Sequence, residues 1–464
     1  MTEQYNSEVD DALNWLDKPV IDESISEFKY VDHTPQSQET LNQLGQNIRI
    51  DINSTDEYLL PSKSYLVISG QLRRADNNNA YDGTEQIALI NNAMMYLFSS
   101  VQYILGNQII ETITDPGQAT SILGYLRQPD DYSTSTALAN CWSKDTTAFA
   151  DSNKYNQSPA FAAGAAIPAG AVTPKENPNY NHGFAARRGY LFSKESRGHF
   201  EFIIPLDHIF GFAEFSKIIY GMKHTLILTR CSSDNLAIYR NDATVNGKID
   251  LESIILKMPH IRPDPSMTMK LRKDIESRET LHINYHARSV EVTAVPPNSR
   301  SFDWRLSVSG GVEKPRWIAV AFQKDKNETQ EQNPAIFDHV NLSTASVTLN
   351  SDTYPQQPII NNFALNKYAE LYNMFDNFKK EYYGYNSLSG GTQVNYSTFE
   401  SLYPIIVFDV RRQSERLKYG VVDIKLKCKF HQGIPANTMA HAIILSDRFY
   451  KLKSDGKNLT MVTS

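Results

Sequence analysis

Strict alternation of apolar and polar residues, present in both halves of the chain, constrains the fold more than any other feature. In the first half, Ile48, Ile50 and Ile52 alternate with polar residues. In the second half, residues 422–430 alternate Val, Ile, Leu, Cys and Phe with one Asp and three Lys. A period of two places the apolar side chains on one face of a strand. Both halves are therefore predicted to consist of half-buried β-strands.

The layout of residues 197–239 recurs, much diverged, about 200 residues later. In the first copy a strand-like run is followed by an aromatic loop, a Tyr-Gly pair and a second strand. The second copy, from residue 403 to 430, has a strand, a charged loop, a Tyr-Gly pair and a strand. The residues predicted to form this structural motif are Pro205, Phe210, Gly211, Phe212, Tyr220, Gly221, Tyr419 and Gly420. The glycine between the two phenylalanines is expected to permit a tight turn.

Strands separated by turns dominate both halves, which predicts an all-β fold of two tandem β-sandwiches of jelly-roll type, a double jelly roll with short helices. Three prolines within residues 259–265 indicate an extended connector and place the domain boundary there. The predicted divisions are an acidic N-terminal arm (1–28), a first jelly roll (29–262), a second jelly roll (263–455) and a C-terminal tail (456–464). Within the first roll, residues 129–198 lack sustained alternation and are predicted to form a long surface loop.

Composition and charge exclude several classes of protein. The formal net charge of −6 argues against a free nucleic-acid-binding protein held by phosphate contacts. Three widely spaced cysteines fit neither a disulfide framework nor a zinc ribbon, and no apolar run reaches 18 residues. The N-terminus has no signal-peptide pattern, so intracellular synthesis is expected. Residues 1–28 carry eight carboxylates against Lys18 alone, which fits either a flexible arm or an arm that docks on a neighbouring subunit.

No catalytic constellation with adequate spacing is present, and we predict no enzyme, no cofactor and no metal site. His282 and His286 lie on the polar face of a predicted strand, where solvent-facing or subunit-facing histidines are favoured over a metal pair. His208 in the aromatic loop is interpreted as a hydrogen-bonded loop histidine. The Phe210-Gly211-Phe212 motif is interpreted as packing.

Residues 204–212 (IPLDHIFGF), 219–230 (IYGMKHTLILTR) and 315–323 (PRWIAVAFQ) together resemble a known family. It comprises the double jelly-roll major capsid proteins of Polinton/Maverick-type elements, adintoviruses and related double-stranded DNA viruses. The resemblance implies a structural protein of the virion whose homotrimers form pseudo-hexagonal capsomers of an icosahedral capsid. It also implies penton and minor capsid proteins as partners, and DNA that is enclosed without specific binding.

The alternative hypothesis is a carbohydrate-binding or carbohydrate-cleaving tandem β-sandwich protein, because similar sandwiches support unrelated functions. Such a protein would show a cleft with paired carboxylates or exposed aromatic residues. A minor capsid or penton protein is disfavoured, because such proteins usually carry one jelly roll and this chain is predicted to carry two.

Overall fold

The computed structural model of the protein describes most of the chain. The described residues are 24–53, 56–150, 180–192, 195–241, 244–277, 280–307, 314–326, 328–385, 391–412, 422–454 and 459–462.

Strands occupy both halves. Those of the first half are β1 (Ile25–His33), β2 (Asn47–Ile52), β3 (Tyr58–Leu59), β4 (Tyr65–Arg74), β5 (Ile87–Leu89), β6 (Phe98–Leu105), β7 (Gln108–Thr114), β8 (His199–Pro205), β9 (Ile219–Tyr220), β10 (His224–Arg230), β11 (Ile238–Arg240) and β12 (Gly247–Pro263). Those of the second half are β13 (Leu281–Ala294), β14 (Ser301–Leu306), β15 (Lys314–Lys324), β16 (Leu342–Leu349), β17 (Asp352–Ile360), β18 (Ile406–Asp409), β19 (Ile424–Phe430), β20 (Thr438–Ser454) and β21 (Leu459–Val462).

Helices lie mainly in the connections between strands. The α-helices are α1 (Ala93–Tyr96), α2 (Pro116–Arg127), α3 (His182–Phe192), α4 (Leu206–Ile209), α5 (Pro265–Glu276), α6 (Ala369–Tyr383) and α7 (Tyr396–Ser401). Short 3-10 helices occur at Glu39–Asn42, Pro61–Lys63, Asp130–Thr134, Ala137–Asn140, Gly211–Glu214, Asn235–Ala237 and Phe363–Leu365. None of the helices within the described residues is long and apolar enough to span a bilayer.

Each half contains two facing sheets, and the four main strands of each sheet follow the same order in both halves; β3 and β9 extend one sheet of the first half, and β21 extends one sheet of the second. In the first half the sheets run β1-β12-β4-β8 and β2-β10-β6-β7. In the second half they run β13-β20-β15-β18 and β14-β19-β16-β17. When the eight main strands of a half are numbered along the chain, both halves give the orders 1-8-3-6 and 2-7-4-5. This is the order of a jelly roll, so the predicted double jelly roll is confirmed, and the halves are called roll 1 and roll 2 below.

The alternating stretches form the strands predicted from them. Ile48, Ile50 and Ile52 of β2 are at most 1% exposed and face the core of roll 1. In β19 every second residue from Ile424 to Phe430 is buried, and the lysines between them are exposed. In the core of roll 2, Phe322 of β15 packs against the facing sheet, and its ring lies 5.7 Å from that of Phe430. In β2 and β19, local alternation therefore decided which face of the strand is buried.

The structure differs from the sequence expectation in the insertion of roll 1. Residues 129–198 were expected to form a surface loop, but Cys141, Trp142, Phe184 and Arg187 are at most 5% exposed. Burial is possible because α3 packs against β5 and β8, and because its buried arginine finds a buried acidic partner. Residues 151–179 of this predicted loop lie outside the described residues.

The predicted terminal segments also differ from the structure. The arm was expected to extend to residue 28, but β1 already begins at Ile25 and pairs with β12. The tail was expected to start at residue 456, but β21 pairs with residues 451–454 of β20, because its backbone groups complete a sheet edge. β12 ends at Pro263 and α5 begins at Pro265, within the proline-rich segment that was expected to separate the domains. The exact domain limits stay a prediction.

One buried histidine of roll 2 makes stability dependent on pH. His441 of β20 is 5% exposed, and neither of its ring nitrogens has a hydrogen-bond partner within the described residues. Burial lowers the pKa of His441 from 6.5 to about 4. Between these values the unfolded chain binds a proton that the native imidazole does not, so native stability falls as pH drops from about 6.5 to about 4.

We expect His441→Leu to increase the free energy of unfolding, because no buried imidazole then requires a hydrogen-bond partner. We also expect the variant to lack the loss of roughly 3 kcal/mol that the wild type suffers as pH falls from about 6.5 to about 4. Urea unfolding at pH 7 and pH 4.5 measures both effects. The matched control is His282→Leu at the exposed end of β13, where a change within about 0.5 kcal/mol is expected. An unchanged pH dependence in the His441 variant would contradict the prediction.

Candidate functional site at the junction of the two rolls

The predicted aromatic motif lies where the two rolls meet. β8 ends at Pro205, α4 follows, and the 3-10 helix Gly211–Glu214 completes a segment that we call the junction loop (residues 206–215). Phe210 and Phe212 are at most 1% exposed, and their rings lie 5.6 and 5.2 Å from that of Tyr103 in roll 1. Phe212 also lies 5.6 Å from Tyr285 of β13. The motif is thus anchored in roll 1 and contacts roll 2.

Gly211 allows the backbones of the two rolls to approach each other closely. A Cβ added to Gly211 would lie 1.8 Å from the backbone oxygen of His286 in β13. The chain turns at Gly211 into the 3-10 helix Gly211–Glu214, but the φ of Gly211 lies outside the left-handed region, so the turn itself does not require glycine. The physical requirement is therefore space at the junction and not an unusual backbone angle.

Glu111 of β7 is a buried acceptor that binds both rolls. It is 1% exposed and accepts hydrogen bonds from the backbone N–H groups of Gly211 (3.2 Å), Phe212 (3.0 Å) and Arg288 (2.7 Å). Burial raises the pKa of Glu111, and the charge of Arg288 together with the three N–H groups opposes that rise. The carboxylate links β7, the junction loop and β13 through main-chain donors.

Arg288 of β13 binds the other side of the junction loop. Its guanidinium donates to the backbone oxygens of His208 (2.8 Å) and Asp207 (2.9 Å) and to Glu214 Oε1 (2.8 Å). Burial alone would lower the pKa of Arg288, but the carboxylates of Glu214 and Glu111 outweigh burial and raise it. Satisfied donors and nearby opposite charges make this buried cation tolerable.

A second ion pair extends the network along α2. Arg127 pairs with the Asp207 carboxylate and also donates to the Asp207 backbone oxygen at 3.1 Å. Burial opposes ionisation of Asp207, but Arg127 and then His208 hold its pKa below the usual range. Burial, followed by the charge of Arg127, lowers the pKa of His208 to about 4. His208 is therefore neutral near pH 7.

Another buried charge cluster ties the insertion of roll 1 to roll 2. Asp145 is 0% exposed and pairs with Arg187 of α3 at 2.6 Å. Its oxygens also accept from Asn181 (2.8 Å) and from Asn333 of roll 2 (2.8 Å). The hydroxyl of Tyr403, which precedes β18, donates to the Asp145 backbone oxygen at 2.8 Å. The insertion that was expected at the surface thus helps to hold the rolls together.

The cleft between the rolls has a volume of about 910 Å³ and carries aromatic residues at Tyr382, Tyr383 and Phe449. Three carboxylates also line it, but each is paired with an arginine. Asp207 pairs with Arg127, Glu214 with Arg288, and Asp447 with Arg316. Among the described lining residues, the geometry offers no pair of carboxylates free for the acid and base roles of a glycosidase.

The remaining motif residues that the structure describes make other contacts. Pro205 pairs with Tyr65 across the sheet, and Tyr220 lies 4.7 Å from Tyr58 in a separate small cluster. Gly221 has a φ of +73°, which favours glycine. Tyr419 and Gly420 lie outside the described residues. A common role for the eight motif residues therefore stays a prediction.

The candidate histidines do not converge on one site. His282 is exposed, and His286 Nε2 lies 3.5 Å from Asp447 Oδ1 at the rim of the cleft. Within the residues that the structure describes, no group of three or more His, Cys, Asp or Glu side chains is arranged to hold a metal ion.

Sequence reasoning missed Glu111, Arg288, Asp145 and Arg187. Glu111 follows two isoleucines in β7, and Arg288 continues the polar phase of β13, so the local pattern marks neither as a buried charge. Asp145 and Arg187 lie in a segment without alternation. No local pattern there indicates burial.

Comparisons with known proteins agree with the topology. A family model described as a double jelly roll-like domain matches residues 173–450. No curated protein matches the chain in sequence. Solved structures that share its fold include a chain of the Sputnik virophage cryo-EM structure (10% identity, 98% of this chain and 92% of that chain, TM-score 0.58). The Faustovirus major capsid protein (9%, 95% and 92%, 0.53) and the mavirus major capsid protein (12%, 98% and 95%, 0.50) are also similar.

Replacement of Glu111 by Gln tests the central acceptor. The amide nitrogen would replace one carboxylate oxygen and face a backbone N–H group, so a buried donor loses its partner. We expect the free energy of unfolding to fall by about 2–3 kcal/mol. Chemical unfolding measures this loss, with the exposed Glu201→Gln in β8 as the control. Equal stability of the two variants would contradict the assigned role of Glu111.

Gly211→Ala tests the close approach of the rolls. Because the new methyl group would overlap the His286 carbonyl, the junction loop must move away from β13 and several buried hydrogen bonds must stretch. We expect a loss of about 3 kcal/mol or more and faster hydrogen exchange in residues 206–215. The control is Gly83→Ala, since a Cβ at Gly83 meets nothing within 4 Å. Wild-type stability and exchange in the Gly211 variant would refute the steric argument.

Proposed function

Because the chain belongs to the double jelly roll-like family, whose model matches residues 173–450, we propose that it is a viral major capsid protein. The observation that carries the proposal is the fold match along nearly the whole chain. The mavirus and Faustovirus major capsid proteins share this fold over 98% and 95% of its length. A structural role also fits the chemistry of the junction, where buried charges are paired with each other.

The proposed assembly is a homotrimer that forms a pseudo-hexagonal capsomer of an icosahedral double-stranded DNA virus or virus-like element. Residues 29–262 and 263–455 would supply two similar rolls per copy, so three copies supply six. The repeated strand order supports this arrangement, because similar rolls can make similar lateral contacts. The buried hydrogen bonds of the junction support it as well, since they fix one roll relative to the other.

The proposed partners are further copies of the chain, neighbouring capsomers, and penton and minor capsid proteins. The proposed location is the capsid shell of the virion. A formal net charge of −6 offers little attraction to phosphates, so the protein would enclose DNA without binding it specifically. No catalytic residue or cofactor is part of this proposal.

The solution mass of the purified protein tests the assembly. Light scattering is expected to give three times 52.6 kDa, about 158 kDa, or a larger particle built of such units. The physical reason is that similar lateral faces on six rolls close a ring. A stable 52.6 kDa monomer at all concentrations would contradict the proposal. Glycan binding by such a monomer would instead favour the carbohydrate-binding alternative.

A further inference from the structure

Equivalent sheet faces of the two rolls are covered to different extents. In the sheet β13-β20-β15-β18, Phe322 points into roll 2, so Trp317 on the same strand points to the outer face. This outer face is covered within the chain. Trp317 is 3% exposed and lies 4.9 Å from Phe378 of α6. Ile443 and Leu445 are also buried there, and α2 contacts β20.

Within the described residues, the outer face of the corresponding sheet β1-β12-β4-β8 in roll 1 is more exposed. Ile203, Val67 and Ile255 lie side by side on three adjacent strands, and Ile203 is 38% exposed. Phe28 and Tyr30 of β1 are 41% and 44% exposed. We call this surface the open face; it consists of Phe28, Tyr30, Tyr65, Val67, Ile203 and Ile255.

The open face combines apolar side chains with the Lys257–Asp32 ion pair and with Glu201 on the same side of the sheet. The rings of Phe28 and Tyr30 lie 5.6 Å apart, and that of Tyr65 lies 5.4 Å from Tyr30.

Phe28, Tyr30 and Ile203 are the exposed members of the open face, Tyr65 and Ile255 are half-buried, and Val67 is buried beneath them. Exposed apolar side chains grouped in this way mark an interaction site. The open outer edge of β1 adds exposed backbone groups to the same region, since β1 pairs only with β12 among the described strands.

We propose that the open face of roll 1 binds roll 2 of a second copy of this chain. The surface bound on roll 2 is called the β17 side; it consists of β17, which ends at Ile360, and of Leu365 in the 3-10 helix that follows. This inference rests on the proposed capsid function and specifies which surfaces meet. It follows from the contact already present inside one chain. There β7, the fifth main strand of roll 1, lies against β13, the first main strand of roll 2. Tyr285 of β13 donates to the Ile110 backbone oxygen of β7 at 2.9 Å.

If rolls of neighbouring copies meet as the two rolls of one chain do, the fifth main strand of roll 2 in one copy lies against the first main strand of roll 1 in the next. These strands are β17 and β1. The expected counterpart of the open face is exposed and apolar. Ile360 at the end of β17 is 77% exposed, and Leu365 in the following 3-10 helix is 62% exposed. β17 is also the edge strand of its sheet among the described residues.

Such a contact is heterologous, because it joins two different surfaces. Heterologous contacts form closed rings or open filaments, whereas a two-fold contact joins a surface to itself. Each copy contributes one open face and one β17 side, so every contact in the ring uses both surfaces once. This property allows the two surfaces to be tested separately.

Two double variants disable one surface each. Tyr30→Glu with Ile203→Glu places charge on the open face, and Ile360→Glu with Leu365→Glu places charge on the β17 side. All four side chains are exposed, so the folded monomer tolerates the changes, and circular dichroism verifies this. Each double variant is expected to be a 52.6 kDa monomer in light scattering. The control Leu44→Glu, at a residue 48% exposed outside both surfaces, is expected to keep the wild-type mass.

An equimolar mixture of the two double variants gives the sharper result. One intact open face then meets one intact β17 side, so a dimer of twice 52.6 kDa, about 105 kDa, is expected. Two monomers that do not combine would overturn the inference, and so would double variants that stay trimeric while the wild type is trimeric. A monomeric wild type would overturn the proposed function itself. If trimers were lost only on deletion of residues 1–23, the N-terminal segment and not the open face would join the copies.

Discussion

The three hydrogen bonds accepted by the Glu111 carboxylate are the interaction on which the arrangement of the two rolls depends. They join a strand of roll 1, the junction loop and the first strand of roll 2 through backbone donors at 2.7 to 3.2 Å. A buried carboxylate is costly unless its oxygens are satisfied. Because its donors come from both rolls, Glu111 is satisfied only when the rolls are docked in one orientation.

The other buried charges reinforce the same orientation. Arg288 binds two carbonyl oxygens of the junction loop, and Asp145 binds Arg187 of roll 1 and Asn333 of roll 2. Hydrophobic packing between sheets tolerates small shifts, but hydrogen bonds of buried charges do not, since a displaced partner leaves a charge unsatisfied. The Glu111–Arg288 cluster and the Asp145–Arg187 cluster therefore fix the orientation of the two rolls and also stabilise the fold. A fixed angle between rolls is what a closed ring of similar rolls requires.

Several elements could be predicted from local sequence because their signal is local. β2 and β19 follow from alternation, and the junction loop was identified from its aromatic residues and their place after a strand. The insertion could not be predicted in the same way. Trp142 is buried there by its contact with Gln393, which lies far away along the chain. Arg187 is buried by its ion pair with Asp145, which lies across a long connection. Gly211 was singled out, but its reason lies in the backbone of His286, 75 residues later.

By itself, the sequence determined that the chain is built of half-buried strands and that its layout occurs twice, because periodicity and repetition are properties of neighbouring residues. Only the tertiary structure decided which strands are neighbours and which charges are buried. β1 pairs with β12 across more than 200 residues, and Glu111 meets Arg288 across 177. Such pairings follow from the way two sheets close around a core and two rolls dock, and no local pattern encodes them. The covered face of roll 2 and the open face of roll 1 are likewise set by docking, although the strands beneath them follow the same order.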